Sequence, residues 1–107
     1  MLTRGEMESC WAAYVAPGDR LGPDASPLRA APEVLAAGPP ALVVVCGFDV
    51  LRDEGIAYAE HLETAGVHVE LVDFGDMVHG FLRWGGVVDR TRELVDLLGA
   101  RTRAALA

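Results

Sequence analysis

Hydrophobic and polar positions change their period along this chain in a way that predicts alternating strands and helices. The valine-rich run Ala41–Cys46 is apolar without alternation, which is typical of a strand covered on both faces in a parallel sheet. Residues 53–65 then follow a helical period that ends at Gly66. Val67–Phe74 alternates and predicts a second strand, and Val87–Leu106 predicts a final helix. The apolar stripe of that last helix is expected to consist of Val88, Leu94, Val95 and Leu98.

This strand–helix–strand–helix order predicts the α/β class, with a right-handed parallel crossover between the two strands. A parallel pair with two helices does not cover both faces of its own sheet. The run Ala41–Cys46 looks central, and a central strand needs a neighbour on each side to pair its backbone groups. We therefore interpret the chain as the C-terminal part of a larger parallel sheet, incomplete as a fold, in preference to a self-sufficient small domain.

Residues 1–40 differ in character from the rest of the chain. Thr3 and Glu6 have the form of a capping box, and apolar residues then recur at helical spacing, which predicts a helix over residues 4–15. All 6 prolines fall between residues 17 and 40, which indicates a loop that runs over a surface. The apolar positions of the predicted helix are Met7, Cys10, Trp11 and Tyr14.

Composition narrows the classes of partner. The net charge of −7 over 107 residues argues against nucleic acid and anionic membrane as partners. No apolar run approaches the roughly 20 residues of a membrane span, and the N-terminus lacks the apolar core of a signal peptide, so a cytoplasmic location is expected. Cys10 and Cys46 provide neither a disulfide framework nor a metal-ligand spacing, and both are expected to be buried as small apolar residues.

Asp49 and His79 each follow one of the two predicted strands. Asp49 comes shortly after Cys46, and His79 lies in a predicted loop over Gly75–Gly86. Ligands of open parallel sheets bind at the carboxyl ends of the strands, and neighbouring strands lie roughly 4.8 Å apart. We therefore expect the Asp49 carboxylate to reach a ring nitrogen of His79. Such a carboxylate fixes the tautomer of the histidine, so that the other nitrogen can act as a base toward a hydroxyl.

Simpler roles exist for the same residues. Taken alone, Asp49 also fits a turn residue at a strand end, and His79 fits a loop histidine bonded to backbone. His61 and His68 are expected to be solvated, since one lies on a helix among charges and the other at a strand start.

The charged residues that follow Asp49 are expected to have structural roles. Asp53 and Glu54 are expected to cap the following helix and to place negative charge at its N-terminus. For Arg52, pairing with a carboxylate and free solvation are both left open.

Four stretches of the chain carry motifs that occur together in one family. Residues 39–55 match the pattern P-P-A-L-x-V-x-x-x-x-D-P-L-R-D-E-G. The one departure is Val50, which stands where the pattern has the proline that follows the aspartate. Residues 58–67 match Y-A-x-x-L-x-x-A-G-V, residues 77–81 match M-x-H-G-F, and residues 25–28 match A-S-P-L. Together these motifs are specific and cover nearly the whole chain. They resemble the hormone-sensitive-lipase-like esterases, the α/β hydrolase fold-3 family.

The resemblance implies that Asp49 is the acid and His79 the base of a Ser-Asp-His triad. It also implies hydrolysis of carboxylic esters, usually with short or medium acyl chains, without a cofactor or a metal. Residues 1–40 would be a helix and Pro-rich connection near the lid or cap, and residues 41–107 would be the C-terminal part of the hydrolase domain. Asp76 stands where the family usually has glycine, which places an additional carboxylate near His79 and is expected to affect the loop.

The family's nucleophile motif G-D-S-A-G-G and oxyanion motif H-G-G-G do not occur in this sequence. Ser9 and Ser26 lack the flanking glycines that a nucleophile elbow requires. Cys46 lacks a glycine two positions before it and sits in the strand of the acid. We therefore expect the isolated chain to lack esterase activity.

Three hypotheses remain open on the sequence alone. The chain is a segment of a serine ester hydrolase acting on a small-molecule ester, or a non-catalytic remnant or interaction module, or one half of a split hydrolase. The partners expected are an ester substrate in the complete enzyme, and either a complementing N-terminal half or a further copy of the chain. The resemblance implies dimers through the last strand and final helix, so Val67–Phe74 is the expected edge for such a copy.

Overall fold

A computed structural model describes residues 2–107 of the chain. The helices and strands, in chain order, are α1 (Arg4–Tyr14), α2 (Pro32–Ala36), β1 (Ala41–Phe48), α3 (Arg52–Thr64), β2 (Val69–Val78) and α4 (Asp89–Leu106). Short 3-10 turns occupy Pro17–Asp19, Pro27–Arg29 and Phe81–Arg83. The predicted capping box at the start of α1 is present, since the Thr3 hydroxyl accepts from the Glu6 amide and the Glu6 carboxylate accepts from the Thr3 amide.

The two strands pair in parallel, with Ala41 opposite Val69 and Cys46 opposite Phe74, and α3 connects them. This confirms the predicted α/β class and the predicted parallel pairing. The carboxyl ends of both strands therefore lie at the same edge of the sheet.

One face of the sheet packs against α4. Cys46, Phe74, Phe81 and Leu94 are buried together there, and Phe81 is the most completely buried large side chain among those the structure describes. Cys46 and Phe74 are partners in the register, so their side chains point to the same face. The partly buried apolar residues around this cluster are Val44, Val72, Met77, Leu97 and Leu98.

The opposite side of the sheet packs against α3 and α2. Leu35, Leu62 and Val67 form a second buried cluster at the start of the strands. A Cβ on Gly55 would lie 2.8 Å from the Cγ1 of Val45, so the glycine lets α3 approach β1 closely.

Both strands are longer than their apolar runs predict. β1 continues to Phe48 and β2 to Val78, so the predicted loop over Gly75–Gly86 begins only at His79. The reason is that backbone pairing continues past the apolar side chains, through a register irregularity between Cys46 and Phe48. Gly47 makes this possible, because a side chain there would collide with the backbone of Gly75.

Three burial and capping predictions are wrong. Cys10 is exposed, because α1 has no buried residue in the described structure. Val95 is 51% exposed, since Leu94 and the buried Thr91 form the side of α4 that faces the sheet and adjacent positions on a helix point in different directions.

The capping prediction for Asp53 and Glu54 is also wrong. Helix α3 begins at Arg52 with Leu51 at the N-cap position, so the two acidic residues lie within the first turn. Their negative charge at the helix N-terminus is confirmed.

The two neighbouring glycines should respond in opposite ways to the same substitution. Gly47→Ala should lower the free energy of unfolding by about 3 kcal/mol or more, because the new methyl group would overlap backbone that has no room to move. Gly75→Ala should change it by less than about 1 kcal/mol, because its new Cβ would meet nothing closer than 4.0 Å. Urea unfolding of both variants checks this, and equal losses would contradict it.

Glu70 on β2 and Arg101 on α4 form an ion pair whose contribution to stability depends on pH. The hydrogen bond from Arg101 holds the pKa of Glu70 below its ordinary value of 4.5. The pair should therefore contribute fully above pH 4.5 and lose its contribution as pH falls through the lower folded-state pKa. The difference in melting temperature between wild type and Glu70→Gln should be present at pH 7 and shrink in acid. A constant difference across this range would contradict the prediction.

Candidate active site

Asp49 follows β1 directly and lies at the carboxyl end of the strand. Its side chain is only 8% exposed. The Oδ1 atom accepts a hydrogen bond of 2.9 Å from the Leu51 amide, which is the local turn that aspartate commonly makes two residues along the chain. The turn role and the predicted role toward histidine are thus compatible, since each uses a different carboxylate oxygen.

His79 follows β2 directly and is placed by the turn after that strand. Gly80 has φ 76°, a left-handed conformation that glycine adopts without steric cost. The Nδ1 atom of His79 lies 2.7 Å from the Oδ2 atom of Asp49, which confirms the predicted contact between carboxylate and imidazole. An ionised carboxylate only accepts hydrogen bonds, so Nδ1 carries the proton in this contact and the neutral ring leaves a lone pair on Nε2.

The pair borders an open cavity of about 710 Å³. Besides Asp49 and His79, its walls include Trp11, Tyr58, Leu82 and residues 25–29. The His79 side chain is 42% exposed, so the imidazole remains accessible to a molecule that enters. The cavity can therefore hold a small molecule beside the lone pair of the histidine.

The hydroxyl groups of both serines are engaged elsewhere. Ser26 borders the same cavity, but its Oγ donates to the carbonyl of Arg20 at 2.6 Å. Ser9 donates to the carbonyl of Gly5 at 3.0 Å, within α1. Neither side chain forms a hydrogen bond with His79.

Cys46 is buried in the core cluster and also borders the cavity. Burial raises the pKa of its thiol, and the negative charges of Asp49 and Asp73 raise it further. Because the thiolate is the reactive form of cysteine, this environment opposes nucleophilic chemistry.

Two charged contacts near the pair were not specified by the sequence. Arg52 donates to Asp73 on β2, which settles the open question about Arg52 in favour of pairing. Asp76 binds Arg90 of α4 through both carboxylate oxygens. Both partners come from distant parts of the chain, so local spacing gave no signal for either.

No group of three or more metal-ligating side chains occurs within residues 2–107. In the same range, no helix combines the length and the apolar character needed to cross a membrane.

Comparison with known proteins identifies the class of protein. The sequence pattern of the alpha/beta hydrolase fold matches residues 1–83. The chain therefore belongs to the alpha/beta hydrolase fold family.

Its relatives are hydrolases of carboxylic esters. The chain is 42% identical over 77 residues to the ethyl acetate hydrolase of Pseudomonas putida. The matched stretch covers 72% of this chain and 24% of that protein. It is 40% identical over 106 residues to the carboxylic ester hydrolase LipN of Mycobacterium tuberculosis, covering 94% of this chain and 28% of LipN. The chain thus spans about a quarter of the length of these relatives.

A solved structure agrees with the fold. The hyperthermophilic esterase from the archaeon Pyrobaculum calidifontis superimposes with a TM-score of 0.88 at 33% identity, covering 99% of this chain and 34% of the esterase. The described elements thus correspond to about a third of an esterase with this fold.

The two cysteines should differ sharply in reactivity. Cys10 is exposed and Cys46 is buried with a raised thiol pKa. Iodoacetamide at neutral pH should alkylate Cys10 at least about 10-fold faster, because buried thiols of high pKa are inert. Peptide mass spectrometry after timed labelling measures both rates. Comparable rates in the folded chain would contradict the assignment, and equal rates in urea are the control.

Proposed function

We propose that Asp49 and His79 are the acid–base pair of a serine-dependent carboxylic ester hydrolase, acting on a small-molecule ester. The observation that carries this is the 2.7 Å contact between His79 Nδ1 and Asp49 Oδ2. The second oxygen of Asp49 is held by the Leu51 amide at the same time, so the carboxylate is fixed on both sides. The membership of the chain in a family with ester-hydrolase relatives supports the same reaction.

In this proposal, Nε2 of His79 takes the proton of a serine hydroxyl as its oxygen attacks the ester carbonyl carbon. Asp49 accepts from Nδ1 throughout and stabilises the imidazolium that forms. The imidazolium then gives its proton to the departing alcohol, which leaves an acyl-enzyme. Water, deprotonated by the same Nε2, attacks the acyl-enzyme, and the serine recovers its proton as the carboxylic acid leaves.

The serine of this reaction comes from outside the 107 residues. Ser9 and Ser26 both donate to nearby carbonyl groups, which argues against either as the nucleophile. In the described structure β1 pairs with β2 alone, so the other edge of β1 retains unpaired backbone groups. We infer that further strands and the nucleophile lie on that side, on the same or a complementing polypeptide.

We further infer that residues 1–40 belong to the lid or cap region and that residues 41–107 form the C-terminal part of the hydrolase domain. Trp11 and residues 25–29 support this division, since they line the cavity that the Asp49–His79 pair borders. These walls are mainly apolar, which suits the acyl or alcohol part of an ester.

A chimera provides the direct test. The matched stretch of LipN is replaced by this chain, and hydrolysis of a p-nitrophenyl ester is measured. The chimera should hydrolyse the ester, and His79→Ala should reduce kcat/KM by about 100-fold or more, because general acid–base catalysis contributes about 10² to 10⁴. Asp49→Ala should show a loss of similar order.

The other two histidines are the matched controls. His61 and His68 are both exposed, and their alanine variants should change kcat/KM less than about 2-fold, as expected for solvated surface positions. A chimera whose activity survives His79→Ala would refute the proposal, because His79 would then not be the base. The 107-residue chain alone should not hydrolyse the ester. If it does, and if His79→Ala abolishes that hydrolysis, the inference that the serine lies outside the 107 residues is refuted.

A further inference from the structure

Helix α4 holds the chain on both sides of His79. Before the histidine, the Asp76 carboxylate accepts from Nε and Nη2 of Arg90, each at 3.0 Å. After the histidine, the Phe81 carbonyl accepts from the hydroxyl of Thr91 at 2.9 Å. Arg90 and Thr91 are consecutive residues in the first turn of α4, so one helical turn anchors both ends of the short segment that carries the imidazole.

Arg90 is itself held in place by several contacts. Its Nη1 donates to Glu93, one turn further along α4. Its guanidinium carbon lies 5.4 Å from the centre of the Phe74 ring, a cation–π distance. The Phe74 ring in turn lies 5.1 Å from that of Phe81. The arginine therefore presents a fixed fork to Asp76, matching the geometry of a carboxylate.

The position of the imidazole depends on this segment more than on contacts of the ring. Within residues 2–107, the hydrogen bond to Asp49 is the one that the His79 side chain makes, and 42% of the side chain is exposed. Gly80 adds a flexible position directly after it. Small movements of the backbone at Asp76 or Phe81 would therefore move Nδ1 away from Asp49.

We propose that Asp76 and Arg90 are a positioning pair that holds His79 within hydrogen-bonding distance of Asp49. We call this pair of residues the clamp. That the pair affects catalysis rests on the proposed function of His79. That the pair fixes the position of the His79 ring does not depend on it.

The chain contains a matched control for this clamp. Glu70 and Arg101 form a second carboxylate–guanidinium pair between the same two elements, β2 and α4, also through two donor atoms. This pair lies at the start of β2, away from His79. Glu70→Gln thus removes an equivalent tie between strand and helix without touching the histidine segment.

The test uses nitrogen-15 and proton NMR of the histidines in the full 107-residue chain. Wild type should show a His79 Nδ1–H resonance protected from exchange and nitrogen shifts of a ring protonated at Nδ1. Asp76→Asn should lose the resonance and shift toward a mixture of tautomers. Glu70→Gln should keep the wild-type signature, even if its melting temperature falls as far as that of Asp76→Asn. Asp49→Ala should lose the signature completely.

Two results would overturn the inference: a wild-type Nδ1–H signature in Asp76→Asn, or an equal loss in Glu70→Gln. If Asp76→Asn does not fold, Arg90→Lys replaces it, because lysine keeps the charge but lacks the two-donor fork. The same loss is then expected, and an unchanged signature would overturn the inference.

Kinetics in the LipN chimera separate this inference from the proposed function. Asp76→Asn should lower kcat about 10-fold with little change in KM, since small misplacements of a reacting group cost up to about 100-fold. If the NMR signature responds as expected while His79→Ala leaves the chimera active, the positional claim holds and the catalytic proposal fails. If His79→Ala abolishes activity but Asp76→Asn alters neither the NMR signature nor kcat, the proposed function holds and the positional claim fails.

Discussion

The parallel pairing of β1 and β2 is the constraint on which the rest of this structure depends. Two parallel strands end at the same edge of a sheet, so the residue after each strand is brought beside its counterpart. Asp49 and His79 occupy those two positions and meet at 2.7 Å. An antiparallel arrangement of the same segments would have placed them at opposite edges.

The strands and the segments that follow them determine different features of the site. β1 and β2 set the distance between the two residues, whereas the turns that follow set the direction of each side chain. The Leu51 amide orients the carboxylate from its own side. Helix α4 orients the histidine segment through Asp76 and the Phe81 carbonyl. The His79 side chain is 42% exposed and borders the cavity, so the imidazole stays accessible after both turns have set its direction.

Several of the predictions that succeeded rest on local chemistry. The apolar run before Asp49, the helical period over residues 53–65 and the capping box at Thr3 each describe a segment whose own residues dictate its conformation. Two of the predictions that failed, the burial of Cys10 and of Val95, concern which side of a helix faces the rest of the molecule. Cys10 and Val95 have the right spacing for burial, but burial also requires a partner surface, and neither position has one in the described structure.

The sequence by itself determined the order of strands and helices, the positions of Asp49 and His79 after the two strands, and the family that its motifs resemble. The reason is that the period of apolar residues, the helix caps and the motif spacing each depend on residues close together in the chain. The tertiary structure alone decided where β2 ends, which carboxylate Arg52 binds, and how Arg90 holds Asp76 beside the histidine. Each of these depends on residues far apart in the chain, whose approach is set by the packing of α3 and α4 against the sheet.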